Sequence, residues 1–180
     1  MWLAEATVPA ARVLDVGCGT GNHGIALGEL GFEVVGVDFA HGMLARASEK
    51  AVQRGVRIEL RELDVSEGLP FDDGSFDAVL GSYVLQVVGE PIDLLREVRR
   101  VMRPGGVVLV EVPVRRATRA KIVTSPGSRL FWTAKVIGSR LPGLTHGYDR
   151  DRLRHDLRCA GLALVEERFF ARSSAALARR

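Results

Sequence analysis

The sequence predicts a single α/β domain in which helices cover both faces of a mainly parallel sheet. Three observations favour this class: short β-branched runs alternate with helix-like stretches, a glycine-rich turn follows the first run, and an isolated acid ends the second. Such alternation indicates parallel pairing, because parallel strands need a crossover between them, usually a helix. With 180 residues and 47% hydrophobic positions, the chain can bury its own core, and residues 1–180 are expected to form one domain.

Five runs rich in Val, Leu and Ile are predicted to be strands. They are bounded by turn residues and are too short for helices of ordinary length. In chain order they are 12–16 (RVLDV), 33–37 (EVVGV), 57–63 (RIELREL), 76–82 (FDAVLGS) and 106–113 (GVVLVEVP). The stretches predicted to be helices lie between them, at 22–30, 41–54 and 91–103.

The third predicted helix carries its own start and stop signals. Pro91 suits the first turn of a helix, and apolar residues at helical spacing follow it. Pro104, Gly105 and Gly106 then end the helix, because proline and glycine interrupt helical structure. These signals place the start of the fifth strand near Val107.

Composition and charge exclude several classes of function. No apolar run approaches the roughly 18 residues that cross a bilayer, and residues 1–11 lack a signal-peptide pattern, so a cytoplasmic protein is expected. The two cysteines and four histidines show no ligand spacing, which argues against a disulfide framework and a metal site. The net charge is +3. Residues 1–95 carry a net negative charge, and residues 96–180 carry a net positive charge. The basic half has no nucleic-acid-binding motif, so no such partner is expected.

The stretch RVLDVGCGTGN (12–22) lies where the first strand ends and the first helix begins. Gly17 and Gly19 allow the backbone to turn tightly and approach a ligand, and the amides that open the helix supply donors for an anion. Asp38 ends the second strand, where an acid can accept hydrogen bonds from ribose hydroxyls. Together these features predict one nucleoside site. Glycines that only serve the turn are the alternative interpretation.

The spacing of the glycines distinguishes two kinds of nucleoside site. A dinucleotide fingerprint has glycines at its first, third and sixth positions, whereas here the sixth position from Gly17 is Asn22 and the last glycine is Gly21. The chain has no Walker lysine after the turn either. The motif LDVGCGTG, with Asp15 two positions before its first glycine, instead resembles the first motif of class I S-adenosylmethionine-dependent methyltransferases.

The resemblance covers about residues 12–113. Other stretches similar to the small-molecule branch of this family are VVGVDFAHGML (34–44), LDVSEGLPFDDGSFDAVLGSYVLQ (63–86) and LLREVRRVMRPGGVVLVEVP (94–113). The resemblance implies a Rossmann-like, doubly wound seven-stranded sheet in the order 3-2-1-4-5-7-6, with strand 7 antiparallel. It divides the domain into a cofactor-binding core (12–113), a basic lid or substrate insertion (114–148), and a closing helix and strand pair (149–180).

The resemblance also implies S-adenosylmethionine as the cofactor and S-adenosylhomocysteine as its product. The glycine turn is expected to pass beneath the methionine part of the cofactor. Asp15 and the Gly81 carbonyl are expected near the ammonium group, and Asp38 at both ribose hydroxyls. The full set of expected cofactor-binding residues is Asp15, Gly17, Cys18, Gly19, Gly21, Asp38, Phe39, Met43, Asp64, Val65 and Gly81.

Four of these residues are assigned to the adenine ring by the same resemblance. Asp64 is expected to accept from the adenine amino group, and the Val65 amide to donate to the ring. Phe39 and Met43 are expected to cover the two faces of the ring with apolar, polarizable surface. Two alternatives stay open at this point: Asp64 can be an acid that only caps a loop, and Met43 can belong to the helix core.

The reaction implied is an in-line displacement at the sulfonium methyl group. Positioning and exclusion of water supply most of what such a reaction needs, so a general base is optional. His146 and Tyr83 are weak candidates for a catalytic role. Gln86, Trp132 and Tyr148 are expected to line the acceptor side, although the family often has His at the position of Gln86.

The acceptor side depends on a segment after the fifth strand. From Val112 to Tyr148 the chain has no acid and seven Arg or Lys residues, and residues 128–141 show aromatic and amphipathic helical spacing. This helix could contact a membrane surface or hold an anionic, apolar acceptor; a plain lid helix is the alternative. Since the family usually has a helical cap where this chain has only residues 1–11, the segment could supply the missing wall.

The sequence therefore predicts a methyltransferase that uses S-adenosylmethionine and acts on a small molecule, such as a quinone precursor, a lipid or a secondary metabolite. Two other functions are kept. The chain could be a cofactor-binding partner protein that transfers no methyl group, or an NAD-dependent oxidoreductase, which Asn22 disfavours. The sequence predicts neither the acceptor atom nor the oligomeric state.

Overall fold

The computed structural model describes residues 10–113, 150–170 and 173–179, together with Leu3, Glu5, Thr7 and Val8. Five parallel strands form the body of the sheet: β1 (Arg12–Val16), β2 (Glu33–Asp38), β3 (Glu59–Glu62), β4 (Phe76–Ser82) and β5 (Met102–Pro113). Their spatial order is β3-β2-β1-β4-β5, which confirms the predicted Rossmann-like α/β class. The order reverses at β1, and ligands bind beyond the carboxyl ends of the strands at such a point.

The described helices are α1 (Asn22–Glu29), α2 (His41–Arg54), α3 (Pro91–Val101) and α4 (Arg150–Cys159). The first three confirm the helices predicted from the sequence to within two residues at each end. Helix α3 opens with its proline and buries an apolar stripe, as its spacing predicts. None of the helices described is long and apolar enough to span a membrane.

Strand β5 starts earlier than the sequence predicts. Met102 already pairs with Phe76, and regular pairing resumes only between Ala78 and Val107. The Pro-Gly-Gly segment therefore ends the helix as predicted, but it forms an irregularity within the strand rather than a loop before it. The backbone there is tightly packed: a β-carbon on Gly106 would lie 2.9 Å from the carbonyl oxygen of Asp77.

Two further strands, β6 (Ala163–Phe170) and β7 (Ser173–Arg179), follow α4. Strand β7 runs antiparallel to β5, and β6 runs antiparallel to β7. The segment 114–148, expected to be a lid, falls outside the described residues.

The core has one apolar layer on each face of the sheet. Successive residues of a strand point to opposite faces, and β1 shows this directly. Leu14 and Val16 join the layer covered by α3 and α4, whereas Val13 joins the layer that contains Leu27 of α1. Asp15 shares the parity of Val13, so its carboxylate is placed on the α1 face of the sheet, beneath the turn that leaves β1.

Candidate cofactor and acceptor site

The turn between β1 and α1 is built on three residues in the left-handed region of backbone space. The φ angles of Gly17, Gly19 and Gly21 are 69°, 55° and 73°, a region that residues with a β-carbon avoid. The Cys18 amide donates to the Val37 carbonyl at 2.9 Å, which ties the turn to the end of β2. The sequence motif is thus a fixed, tight backbone turn at the carboxyl edge of the sheet.

The three glycines differ in the space beside them. A β-carbon on Gly17 would lie 3.2 Å from Val84, and one on Gly21 would lie 3.0 Å from the β-carbon of Ala47. At Gly19, no atom of the described residues lies within 4 Å of the same position. Packing explains why Gly17 and Gly21 are glycines, which is what the alternative interpretation, that the glycines only serve the turn, requires. It does not explain Gly19, whose open face is free for the close approach of a ligand.

Asp38 lies directly beside this turn. Its Oδ2 accepts a hydrogen bond from the Gly19 amide at 2.8 Å, and its Oδ1 accepts one from the Ala40 amide at 2.9 Å. The acid and the glycine turn, predicted to belong to one site, are therefore in contact. Each carboxylate oxygen has a second lone pair, so both can still accept from another donor.

Asp15 is buried below the turn. Its side chain is 2% exposed, and its Oδ2 accepts no hydrogen bond from the described residues. Burial raises the pKa of Asp15 to about 7; the Gly24 amide opposes this shift and the charge of Asp38 adds to it. A buried carboxylate oxygen without a partner fits a site that receives a positively charged or hydrogen-bond-donating group.

Cys18 offers its backbone to the site rather than its thiol. Burial raises the pKa of the thiol to about 12, and the charges of Asp15 and Asp38 add to the shift. The sulfur lies over β2, where a β-carbon on Gly36 would be only 3.0 Å away from it. Such a thiol stays protonated and is a poor nucleophile.

Asp64 and Val65 follow β3, where a short 3₁₀ turn covers Val65–Glu67. Asp64 Oδ1 accepts from the Ser66 hydroxyl at 2.6 Å and from the Ser66 amide at 2.9 Å. These bonds lower the pKa of the carboxyl group. The loop-capping interpretation of Asp64 is therefore correct for Oδ1, while the exposed carboxylate retains a second oxygen that these bonds do not use.

Phe39 and Met43 present apolar surface next to Asp38. Phe39 is 72% exposed and Met43 is 42% exposed, although large apolar side chains favour burial. The alternative that Met43 belongs to the helix core is therefore wrong. Exposed apolar side chains beside a polar turn provide surface that a planar ring could cover.

The end of β4 closes onto the glycine turn. A β-carbon on Gly81 would lie 3.3 Å from Val84, the same side chain that packs on Gly17. Tyr83, which lies between Gly81 and Val84 in the chain, has a φ angle of 58°. This conformation costs an aromatic residue about 1–2 kcal/mol. Gln86 is buried, with 5% exposure. The structure thus brings Gly81 and Val84 to the turn.

Sequence reasoning missed Lys50, whose ammonium group contacts the turn directly. Lys50 Nζ donates to Thr20 Oγ1 at 2.7 Å, to the Thr20 carbonyl at 3.2 Å and to Asn22 Oδ1 at 2.9 Å. The only signal in the sequence is its spacing from Ala47: residues three apart share a helix face, and Ala47 packs against Gly21. That signal cannot be used until the packing of Ala47 against Gly21 is known.

Glu111 of β5 was also missed. Its Oε1 accepts from the Tyr83 hydroxyl at 2.9 Å, and its Oε2 accepts from the Ser82 hydroxyl at 3.0 Å. Here the sequence does carry a signal, because a single acid interrupts the apolar run VVLVEVP.

The remaining acceptor-side candidates, Trp132, His146 and Tyr148, fall outside the residues that the structure describes. Among the side chains it does describe, no group of three or more His, Cys, Asp or Glu residues could hold a metal ion.

Comparisons with known proteins agree with this geometry. Residues 14–110 match a family model described as a methyltransferase domain. The chain is 35% identical to a demethylmenaquinone methyltransferase from Clavibacter sepedonicus, over 98% of this chain and 75% of the relative. It is 29% identical to a ubiquinone biosynthesis O-methyltransferase from Burkholderia thailandensis, over 92% of this chain and 70% of the relative. The chain spans only 53% and 47% of the length of two further relatives.

The fold has close counterparts among solved structures. A S-adenosylmethionine-dependent methyltransferase from Methanosarcina mazei superposes with a TM-score of 0.78 at 20% sequence identity, over 99% of this chain and 96% of that one. At this identity the likeness concerns the fold alone.

Proposed function

Because the chain belongs to the S-adenosylmethionine-dependent methyltransferases, we propose that its acceptor is a quinone precursor with a hydroxyl-bearing ring. The reaction class and the cofactor follow from the family. S-adenosylmethionine supplies a methyl group on a positively charged sulfur, which an acceptor atom displaces in line. The acceptor class rests on two relatives that match nearly the whole chain, since one is named a demethylmenaquinone methyltransferase and the other a ubiquinone biosynthesis O-methyltransferase.

The observation that carries the proposed position of the cofactor is the arrangement of Asp15, Gly19 and Asp38. At one edge of the sheet it brings together an open glycine, an acid placed to bind ribose, and a buried carboxylate with one unpartnered oxygen. We assign Asp38 to the ribose hydroxyls and Asp15 to the cationic methionine end. Electrostatic attraction supports the second assignment, because a buried carboxylate gains most from a nearby positive charge.

We further assign the adenine ring to the surface beside Asp38. Phe39 and Met43 supply exposed apolar area there, and Asp64 and the Val65 amide supply an acceptor and a donor. The backbones of Gly17, Cys18 and Gly21, with the Gly81 carbonyl, complete the set of residues proposed to hold the methionine part.

We also propose that residues 1–180 form one domain whose sheet has the order 3-2-1-4-5-7-6. The antiparallel pairing of β7 with β5 supports this order. In this arrangement 12–113 is the cofactor-binding core, 114–148 covers the acceptor, and 149–180 closes the sheet.

The test is formation of S-adenosylhomocysteine from S-adenosylmethionine in the presence of chemically reduced demethylmenaquinone or of a ubiquinone precursor that lacks one O-methyl group. Methylated product, identified by mass spectrometry, is expected with at least one of the two. Asp38→Ala should abolish both product and S-adenosylhomocysteine binding, whereas Glu33→Ala, at the opposite end of β2, should change neither.

The same experiment separates the rival functions. A non-catalytic partner protein would bind S-adenosylhomocysteine in calorimetry but release none from S-adenosylmethionine with any acceptor. An oxidoreductase would bind NAD in preference to S-adenosylhomocysteine. Either result would overturn the proposed acceptor reaction.

A further inference from the structure

We propose that Glu111 is a positioning residue for the cofactor: it holds the chain where β4 ends, so that Val84 stays packed against Gly17 of the glycine turn. The inference rests on the proposed function, because it requires this turn to bind the cofactor. It assigns a role to a side chain of β5 that lies outside the turn and that the sequence analysis missed.

Glu111 makes three hydrogen bonds to the residues at which the chain leaves β4. Its Oε2 accepts from the Ser82 hydroxyl at 3.0 Å, and its Oε1 accepts from the Tyr83 hydroxyl at 2.9 Å. Its backbone carbonyl accepts from the Tyr83 amide at 2.8 Å. Ser82 is also the last residue of β4, and its pairing partner in β5 is Glu111 itself. One residue therefore holds both the side chains and the backbone at this point.

The backbone at this point has an unusual conformation. The φ angle of Tyr83 is 58°, in the left-handed region that bulky residues avoid. Among the described residues other than glycine, only Ala10 shares a positive φ angle. A bulky residue keeps such a conformation when its surroundings enforce it, and the hydrogen bonds to Glu111 contribute to this enforcement. Without them, the chain is freer to relax toward an ordinary negative φ angle.

The conformation of Tyr83 determines where the next residue, Val84, is placed. Val84 is buried, and its side chain packs against two glycines. A β-carbon on Gly17 would lie 3.2 Å from Val84, and one on Gly81 would lie 3.3 Å from it. A rotation of the backbone at Tyr83 would move Val84 out of this contact. The contacts thus run without a gap from Glu111 through Tyr83 and Val84 to the glycine turn.

This series of contacts gives Glu111 an effect on cofactor affinity. The proposed function places the methionine part of the cofactor on the backbone of the turn, and a turn that is already ordered needs less ordering on binding. Losing the bonds made by the Glu111 side chain should therefore lower the affinity for the cofactor, although Glu111 itself is not required to touch it.

The decisive comparison is between Glu111→Ala and Glu111→Gln. The alanine variant removes both side-chain hydrogen bonds, and we expect its dissociation constant for S-adenosylhomocysteine, measured by calorimetry, to rise by about tenfold. Glutamine can bond to both hydroxyl groups, because its carbonyl oxygen accepts from one and its amino group donates to the other. Glu111→Gln should therefore bind within about threefold of the wild type.

The matched control is Asp77→Ala, near the other end of β4. Asp77 Oδ2 accepts from the Arg12 amide at 2.8 Å, and its Oδ1 accepts from the Arg103 guanidinium group. Asp77 is thus also a carboxylate that joins β4 to its neighbouring strands, but it lies at the edge of the sheet opposite the glycine turn. Asp77→Ala should lower Tm and leave the affinity for S-adenosylhomocysteine within about threefold of the wild type. Thermal melting verifies that every variant is folded.

A double-mutant cycle tests whether Glu111 acts through Val84. Val84→Ala removes the contact with Gly17 directly, so it should also weaken S-adenosylhomocysteine binding. If Glu111 acts by keeping Val84 in place, the double variant should lose little more affinity than the weaker-binding single variant. Additive losses would show that the two residues act independently, which overturns the inference.

The outcomes separate this inference from the proposed function. A wild-type protein that does not bind S-adenosylhomocysteine refutes the proposed cofactor site and this inference with it. If the wild type binds, the inference alone is refuted when Glu111→Ala keeps its affinity, loses no more than Asp77→Ala, or loses no more than Glu111→Gln. Should Glu111→Ala fail to fold, Ser82→Ala combined with Tyr83→Phe removes the same two bonds from the other side and decides by the same comparison with Asp77→Ala.

Discussion

Lys50 Nζ lies 2.7 Å from Thr20 Oγ1 and 3.2 Å from the Thr20 carbonyl oxygen, so helix α2 holds the part of the glycine turn that follows Gly19. A third bond, to Asn22 Oδ1, fixes the start of α1. All three donors of one ammonium group are thus directed at a segment of three residues. Holding the backbone of the turn in place before a ligand arrives increases the affinity for the ligand, because less ordering is needed on binding.

Replacing Lys50 with Met should weaken S-adenosylhomocysteine binding by roughly tenfold, because charge-assisted hydrogen bonds that order the turn are lost. Isothermal calorimetry measures the effect. The matched control is Arg54→Met, since Arg54 Nη1 pairs with Glu29 Oε1 at 3.0 Å and joins the same two helices farther along. Exposed pairs contribute little, so this variant should bind as the wild type does. Equal losses in both variants would mean that Lys50 only holds the helices together.

Replacing Gly19 with Ala tests the open face of the turn. The new methyl group meets no atom in the described part of the chain but occupies the space proposed for the cofactor, so affinity for S-adenosylhomocysteine should fall by about tenfold or more. Gly31 is a close control: its φ angle is 86°, and a β-carbon there would likewise have no neighbour within 4 Å among the residues that the structure describes. Both variants should lose about 1 kcal/mol of unfolding free energy in urea. Unimpaired binding by Gly19→Ala would place the cofactor elsewhere.

Features decided by interactions between residues close in sequence were predicted correctly, whereas features decided by contacts between distant elements were missed. Periodicity located the helices and the first strands because burial on one face is a local pattern. The irregular start of β5 was missed because it depends on how Gly106 packs against Asp77 of the neighbouring strand. The glycine turn and Asp38 were predicted together because a motif records both. Lys50 and Glu111 were missed because each makes its contacts with another element, and no local pattern records such contacts.

The two cysteines should differ sharply in reactivity. Burial and two nearby carboxylates raise the pKa of Cys18 to about 12, whereas Cys159 is exposed at the end of α4. Iodoacetamide at mildly alkaline pH should therefore label only Cys159, as peptide mass spectrometry would reveal, because the thiolate is the reacting form. The Cys159→Ser variant should remain unlabelled until it is unfolded in guanidinium. Rapid labelling of Cys18 in the folded protein would contradict the packing of its side chain over β2.

Asp15 should make the ligand-free protein less stable as the pH rises. The pKa of its carboxyl group is raised from 3.8 to about 7 on folding, so between these values the folded state holds a proton that the unfolded state has lost. Stability therefore decreases with rising pH across this window and levels off above about pH 7, a total effect on the order of 4 kcal/mol.

Asp15→Asn cannot ionise, so its unfolding free energy should decrease less between about pH 5 and pH 8. Urea unfolding at a series of pH values measures the difference. Asp64→Asn is the control, because the pKa of Asp64 is lowered and its titration lies below this window. Parallel curves for Asp15→Asn and the wild type would show that folding does not raise the pKa of Asp15.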